Sequence, residues 1–133
     1  MKIKAVDFVA YEVEDVARSI GFYRDVLGLE LLYFNDGADW AEFVINGVTL
    51  SLCGPLAGKW GAPRAPAAPV RSEASVAFAV EDLDAAVDEL GQKEVPFLGG
   101  IRDTGVCRFA VALDPDGNRV WLHQGYAEYH SVQ

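Results

Sequence analysis

The feature that most constrains this chain is that it repeats itself. "FVAYEVEDVARSIGFYRDVLG" at 8–28 resembles "SVAFAVEDLDAAVDELGQKEV" at 75–95. In both, alternating residues run into Glu-Asp and then into a helical pattern. Further on, "WAEFVINGVTLSLCG" at 40–54 parallels "RFAVALDPDGNRVWLHQ" at 108–124, each reading as strand, tight turn and strand. The pattern predicts two tandem copies of one βαβββ module. A sheet that is apolar on one face has to bury that face, here under the module's own helix. The expected fold is therefore α+β: curved sheets around a central cup, with helices on the outside. We assign the first module to 1–56, a linker to 57–72, the second module to 73–125 and a tail to 126–133. Within the linker, "APRAPAAP" excludes helix and central strand, because proline removes donors and restricts the residue before it.

Local chemistry supports each element. Asp15 is placed to cap the first helix. Val16, Ile20, Tyr23 and Leu27 form one apolar stripe, and Gly28 suits the position just past the helix end. In the second copy Asp82 caps, Leu83, Ala86, Val87 and Leu90 form the stripe, and Gly91 is expected to end the helix. Asn46-Gly47 is a strong two-residue hairpin signal. Asp114 to Asn118 is a longer turn of the same purpose.

Strand side chains alternate between faces, so these turns also sort the residues. Val9, Tyr11 and Val13 are assigned to the helix side, as are Phe43 with Leu50 and Ala41 with Leu52. Counting from Asn46-Gly47, Val44 opposes Thr49, Glu42 opposes Ser51 and Trp40 opposes Cys53. The second copy sends Val76, Phe78, Val80, Val120 and Leu122 to its helix. The other faces should then carry Phe8, Trp40, Glu42, Thr49, Ser51, Cys53, Ser75, Arg108, Arg119, Trp121 and His123. A concave, partly apolar surface with a few polar groups is the default small-molecule site.

Composition narrows the partners. The net charge is −9, which argues against nucleic acid, since phosphate binding needs a basic face. No apolar run is long enough for a membrane helix. The N-terminal "MKIKAVDF" lacks the apolar core of a signal peptide, so we expect a cytoplasmic protein. Cys53 and Cys107 belong to no CxxC pair, and we expect buried reduced thiols.

On "VEDVARSIGFYRDVLGLELL" at 13–32, "VAFAVEDLDAAVDEL" at 76–90 and "LDPDGNRVWLHQ" at 113–124, the chain resembles the vicinal oxygen chelate superfamily. That group includes glyoxalase I, extradiol dioxygenases, fosfomycin-resistance enzymes and bleomycin-resistance proteins. The resemblance implies a site for one divalent metal, held by a histidine opening each copy and by a carboxylate or histidine in each last strand. Those positions fall here on Phe8, Ser51, Ser75 and Trp121, none of which is a normal ligand. We therefore expect no metal and no cofactor.

Two functions follow as expectations. The first is a metal-free protein of the bleomycin-resistance type, which binds an aromatic or planar metabolite or antibiotic. Phe8, Trp40 and Trp121 would supply ring faces, Thr49, Ser51, Ser75, Arg108 and Arg119 polar contacts, and Trp60 a lid from the linker. The alternative is a metal-independent isomerase or lyase with Glu42 as general base and His123 as its partner. A metal-dependent glyoxalase or dioxygenase activity ranks below both. The resemblance also implies a homodimer, and Tyr126 and Tyr129 are candidates to dock the tail on a partner subunit.

Overall fold

Each half of the chain folds into a four-stranded sheet with the same strand order. In the computed structural model, which describes residues 1–2, 4–60 and 74–126, the chain divides into two units, Met1–Ser72 and Glu73–Gln133. The first contains β1 (Val9–Glu12), α1 (Val16–Ile20), a π-helical continuation (Gly21–Val26), β2 (Glu30–Asn35), β3 (Trp40–Ile45) and β4 (Val48–Cys53). A 3₁₀ segment, Pro55–Trp60, follows. The second contains β5 (Val76–Ala79), α2 (Leu83–Gln92), β6 (Arg102–Asp103), β7 (Cys107–Leu113) and β8 (Arg119–Gly125). The sheet orders are β1-β4-β3-β2 and β5-β8-β7-β6. In each, the first strand lies parallel to the last and the remaining pairs are antiparallel. The expected α+β architecture of two βαβββ modules is what forms.

In the first unit, Tyr11, Val13, Val16, Ile20, Tyr23, Ala41, Phe43, Leu50 and Leu52 are buried. Tyr11 stacks on Tyr23 at 5.9 Å between ring centroids, and Tyr23 meets Phe43 at the same distance. Asp15 caps α1 by accepting from the Arg18 backbone N–H at 3.1 Å. After Ile20 the helix widens, with Leu27 N–H donating to the Phe22 carbonyl at 3.0 Å, an i→i+5 bond. The expected stripe is altered accordingly. Phe22 joins it as a buried side chain, and Leu27 is left half-buried.

In the second unit, Leu83, Leu90, Ala110, Ala112, Val120 and Leu122 are buried. Asp82 caps α2 through the Ala85 N–H at 3.0 Å. Gly91 does not end this helix. It runs on to Gln92, and the left-handed residue beyond it is Glu94, at φ 61°. The Val95 N–H then returns to the Leu90 carbonyl at 3.0 Å, satisfying one of the end carbonyls of the helix.

The hairpins follow their turn chemistry. Asn46 and Gly47 have φ of 47° and 83°, the two left-handed positions of a type I′ turn. The longer turn is held from inside. Asp114 Oδ1 accepts from the Asp116 and Asn118 N–H groups at 2.9 and 2.7 Å, and its Oδ2 from Asn118 Nδ2 at 2.9 Å. Both side chains are buried. No helix among the described residues is long and apolar enough to cross a membrane.

Two stability changes are expected. Asp114→Ala strands several donors in a buried turn and should cost about 2–4 kcal/mol in denaturant unfolding. Glu94→Gly relieves an exposed left-handed residue and should add roughly 0.5–1 kcal/mol, read as a rise of about 2–4 °C in thermal midpoint.

Candidate functional site

The face of the first sheet turned away from α1 is set by the β3–β4 register. Trp40 pairs with Cys53, Glu42 with Ser51 and Val44 with Thr49, as the turn-based count predicts. The parallel strand adds Ala10 opposite Ser51. Phe8, half-exposed, meets Trp40 edge to face at 5.6 Å and 89°. Trp40 Nε1 donates to Glu42 Oε1 at 3.3 Å, so the indole and the carboxylate orient one another. Ser51 is fully buried and its Oγ has no hydrogen-bond partner among the described residues.

Alternation misses two residues of this face. Tyr33 lies opposite Glu42 and Asn35 opposite Trp40. A register shift between Leu31 and Tyr33 lets Leu31 pair with Phe43 on the helix side while Tyr33 turns to the front. Asn35 Nδ2 donates to Tyr33 Oη at 3.0 Å. No residue in "LELLYF" announces the bulge.

On the second sheet, Phe109 pairs with His123, Val111 with Trp121 and Leu113 with Arg119, so these six share a face. Ala77 and Ala79 flank Trp121 and His123 on the parallel strand, and Ser75 stands exposed just before it. Phe109 covers Trp121 with ring centroids 4.8 Å apart and planes at 34°. Trp121 Nε1 is buried without an acceptor among the described residues. Phe109 was not among the expected site residues, although counting back from the Leu113–Arg119 pair would have found it.

The same count corrects Arg108. It pairs with Gln124, one residue out of step with the Trp121 row, and so lies on the α2 side. There it grips Asp84 with two hydrogen bonds of 3.0 Å. Gln124 Oε1 meanwhile accepts from the Leu83 N–H at 2.9 Å. Arg108 is thus a clamp on the start of α2 and is not part of the Trp121 face. The hydrogen bond from Arg108 lowers the Asp84 pKa and raises that of Arg108. Nearby, Tyr126 Oη donates to Asp103 Oδ2 at 2.5 Å, which lowers the Asp103 pKa and raises that of Tyr126. Cys53 and Cys107 are buried and not disulfide-bonded. The Trp60 side chain, most of the proposed linker and Tyr129 lie outside the described residues.

The four positions to which the resemblance assigns a metal do not fit one. Phe8 has no donor atom, and the Trp121 nitrogen carries a hydrogen where a ligand needs a lone pair. Ser51 and Ser75 offer neutral hydroxyls, which are poor ligands for divalent ions. Among the described residues no three His, Cys, Asp or Glu side chains gather into a metal-binding group.

A pair of repeated βαβββ sheets with mixed polar and aromatic faces defines an α+β protein of two tandem modules. The chain belongs to the Glyoxalase/Bleomycin resistance protein/Dioxygenase superfamily, whose family model matches residues 5–122. It is 33% identical over 132 residues to the metallothiol transferase FosB of Staphylococcus epidermidis, covering 95% of this chain and 87% of the relative. Among solved structures it is similar to TnmS3, an antibiotic binding protein from Streptomyces sp. CB03234. That match has a TM-score of 0.74 and 26% identity, and covers 95% of this chain and 99% of the other. A glyoxalase/bleomycin resistance protein/dioxygenase from Nocardioides matches with a TM-score of 0.77 at 20% identity, covering 96% and 87% of the two chains.

The clamp has a pH signature. Asp84 holds its proton less tightly folded than unfolded, so its contribution is present above about pH 4 and lost as pH falls through the lowered folded value. Because the pair is exposed the effect is small. Arg108→Gln should make the loss of stability below about pH 4 shallower, followed by urea midpoints across the acid range. An equally steep fall in the variant would remove Arg108 as the cause.

Proposed function

We propose that this chain is a metal-independent binding protein for a small aromatic or planar organic molecule, a metabolite or an antibiotic, taken up on the mixed faces of its sheets. The observation that carries this is the pair of aromatic contacts, Phe8 with Trp40 and Phe109 with Trp121, at or beside positions where the family resemblance puts metal ligands. Rings of this kind add about 0.5–1.5 kcal/mol each to a stacked or edge-on aromatic partner beyond area burial. The likeness to an antibiotic binding protein supports the reading. The FosB relatives are named metallothiol transferases, and the side chains at the four expected ligand positions support a metal-independent reading for this chain. The same reading takes the protein as a cytoplasmic homodimer.

One observation favours a second reading. Glu42 is part-buried and is held by the Trp40 N–H beside the orphaned Ser51 hydroxyl. A carboxylate fixed in this way is placed to act as a general base in a metal-independent isomerisation or elimination. Glu42→Gln separates the two readings: it would abolish turnover under the second and leave binding under the first.

The test is tryptophan emission during titration with a panel of planar aromatic compounds, with and without a chelator. Saturable quenching unaffected by chelator is expected. Phe8→Ala should weaken binding by about three- to tenfold. Its ring is half-exposed, so the fold should survive the change. A panel that leaves the emission untouched, or binding that disappears with chelator, would overturn the proposal.

A further inference from the structure

The three tryptophans of the chain include two whose indole nitrogens are described, and the two are treated differently. Trp40 Nε1 has an acceptor in Glu42. Trp121 Nε1 is out of reach of solvent and has none among the described residues. A buried donor left unmade costs about 1–3 kcal/mol, so such groups are rare unless something outside the chain completes them. Trp121 sits mid-strand in β8, where the surrounding backbone groups are committed to β5 and β7.

The surroundings narrow what the missing partner is. Phe109 covers the indole at 4.8 Å. The residue beside Trp121 on β5 is Ala77, an exposed alanine that leaves space at that flank of the ring. An indole nitrogen donates and never accepts, so the incoming atom is an acceptor. Charge selects among acceptors. The chain carries −9, which repels anions, and Arg108 is taken up by Asp84. Arg119 and His123 share the face, but each is engaged in another interaction, and Arg119 is exposed. A carboxylate therefore finds little compensation here, and a neutral carbonyl oxygen finds a donor without one.

We propose that the ligand is a neutral planar aromatic compound bearing a carbonyl at its ring edge, and that the buried Trp121 indole N–H donates to that oxygen. This rests on the binding function proposed above and names the ligand class. It makes Trp121 a specificity residue acting through its ring edge, with Phe109 fixing the ring plane. Ser51 plays no such selecting part, because a hydroxyl both donates and accepts and so suits either kind of ligand.

The experiment compares fluorenone with fluorene, two flat neutral molecules of nearly one shape that differ by carbonyl against methylene. Affinities are measured by calorimetry on the full chain, and the indole N–H signals are followed by nitrogen-15 NMR, assigned with Trp40→Phe and Trp60→Phe. Wild type should prefer fluorenone by about tenfold. The Trp121 signal should move downfield with fluorenone only, and Trp121→Phe should erase the preference while still binding both. Should Trp121→Phe fail to fold, the wild-type signal decides the matter. Equal affinities with an unmoved Trp121 signal would overturn the carbonyl inference and leave the aromatic-binding function standing. Binding of neither compound would bring down both.

Discussion

Hairpin register is the constraint on which the rest of this molecule depends. Two side chains opposite one another across a strand pair share a face, and a slip of one residue exchanges the faces entirely. In the first unit the register is set by Asn46 and Gly47, whose left-handed backbones accept the twist of the flanking strands. In the second it is set by Asp114, whose carboxylate gathers three donors into a buried turn. These two devices decide that Phe43, Leu50, Val120 and Leu122 go to the helices and that Ser51 and Trp121 do not.

What the register leaves on the other faces is chemically mixed. The first carries an aromatic pair, a carboxylate tied to an indole and an orphaned hydroxyl. The second carries an aromatic pair and an orphaned indole nitrogen. The two orphans occupy corresponding places, each in the strand parallel to the first strand of its unit and each opposite an alanine, Ala10 or Ala77. Polar atoms in such places are costly in an empty protein. They are consistent with a fold that supplies one equivalent position for ligand contact in each repeat while varying the group placed there.

Membership of the family says less about activity than these side chains do. A chain one-third identical to metallothiol transferases keeps their scaffold, yet at the expected ligand positions it offers a benzene ring, an indole and two hydroxyls. Fold similarity carries over the sheets and helices, because hydrophobic patterning specifies them. It does not carry over a reaction, because that depends on donor atoms at a few places.

Much of the architecture was legible in the chain itself. The repeat, the capping residues Asp15 and Asp82, and the Glu42–Ser51 and Trp40–Cys53 pairings all follow from local rules of period, capping and turn geometry. Four features did not. The shift that brings Tyr33 round beside Glu42, and the widening that buries Phe22, depend on how strands and helix settle against their neighbours. Glu94 rather than Gly91 takes up the left-handed turn because the last stretch of α2 continues while its end carbonyls find partners beyond it. Arg108 faces α2 because the longer turn pairs Leu113 with Arg119, and Asp84 is there to meet it. Period and turn type are properties of short stretches of sequence, so the sequence alone determined the modules and most of their faces. Bulges, helix ends and ion pairs are settled by contacts between distant segments, so only the tertiary structure decided which side chains complete the two faces.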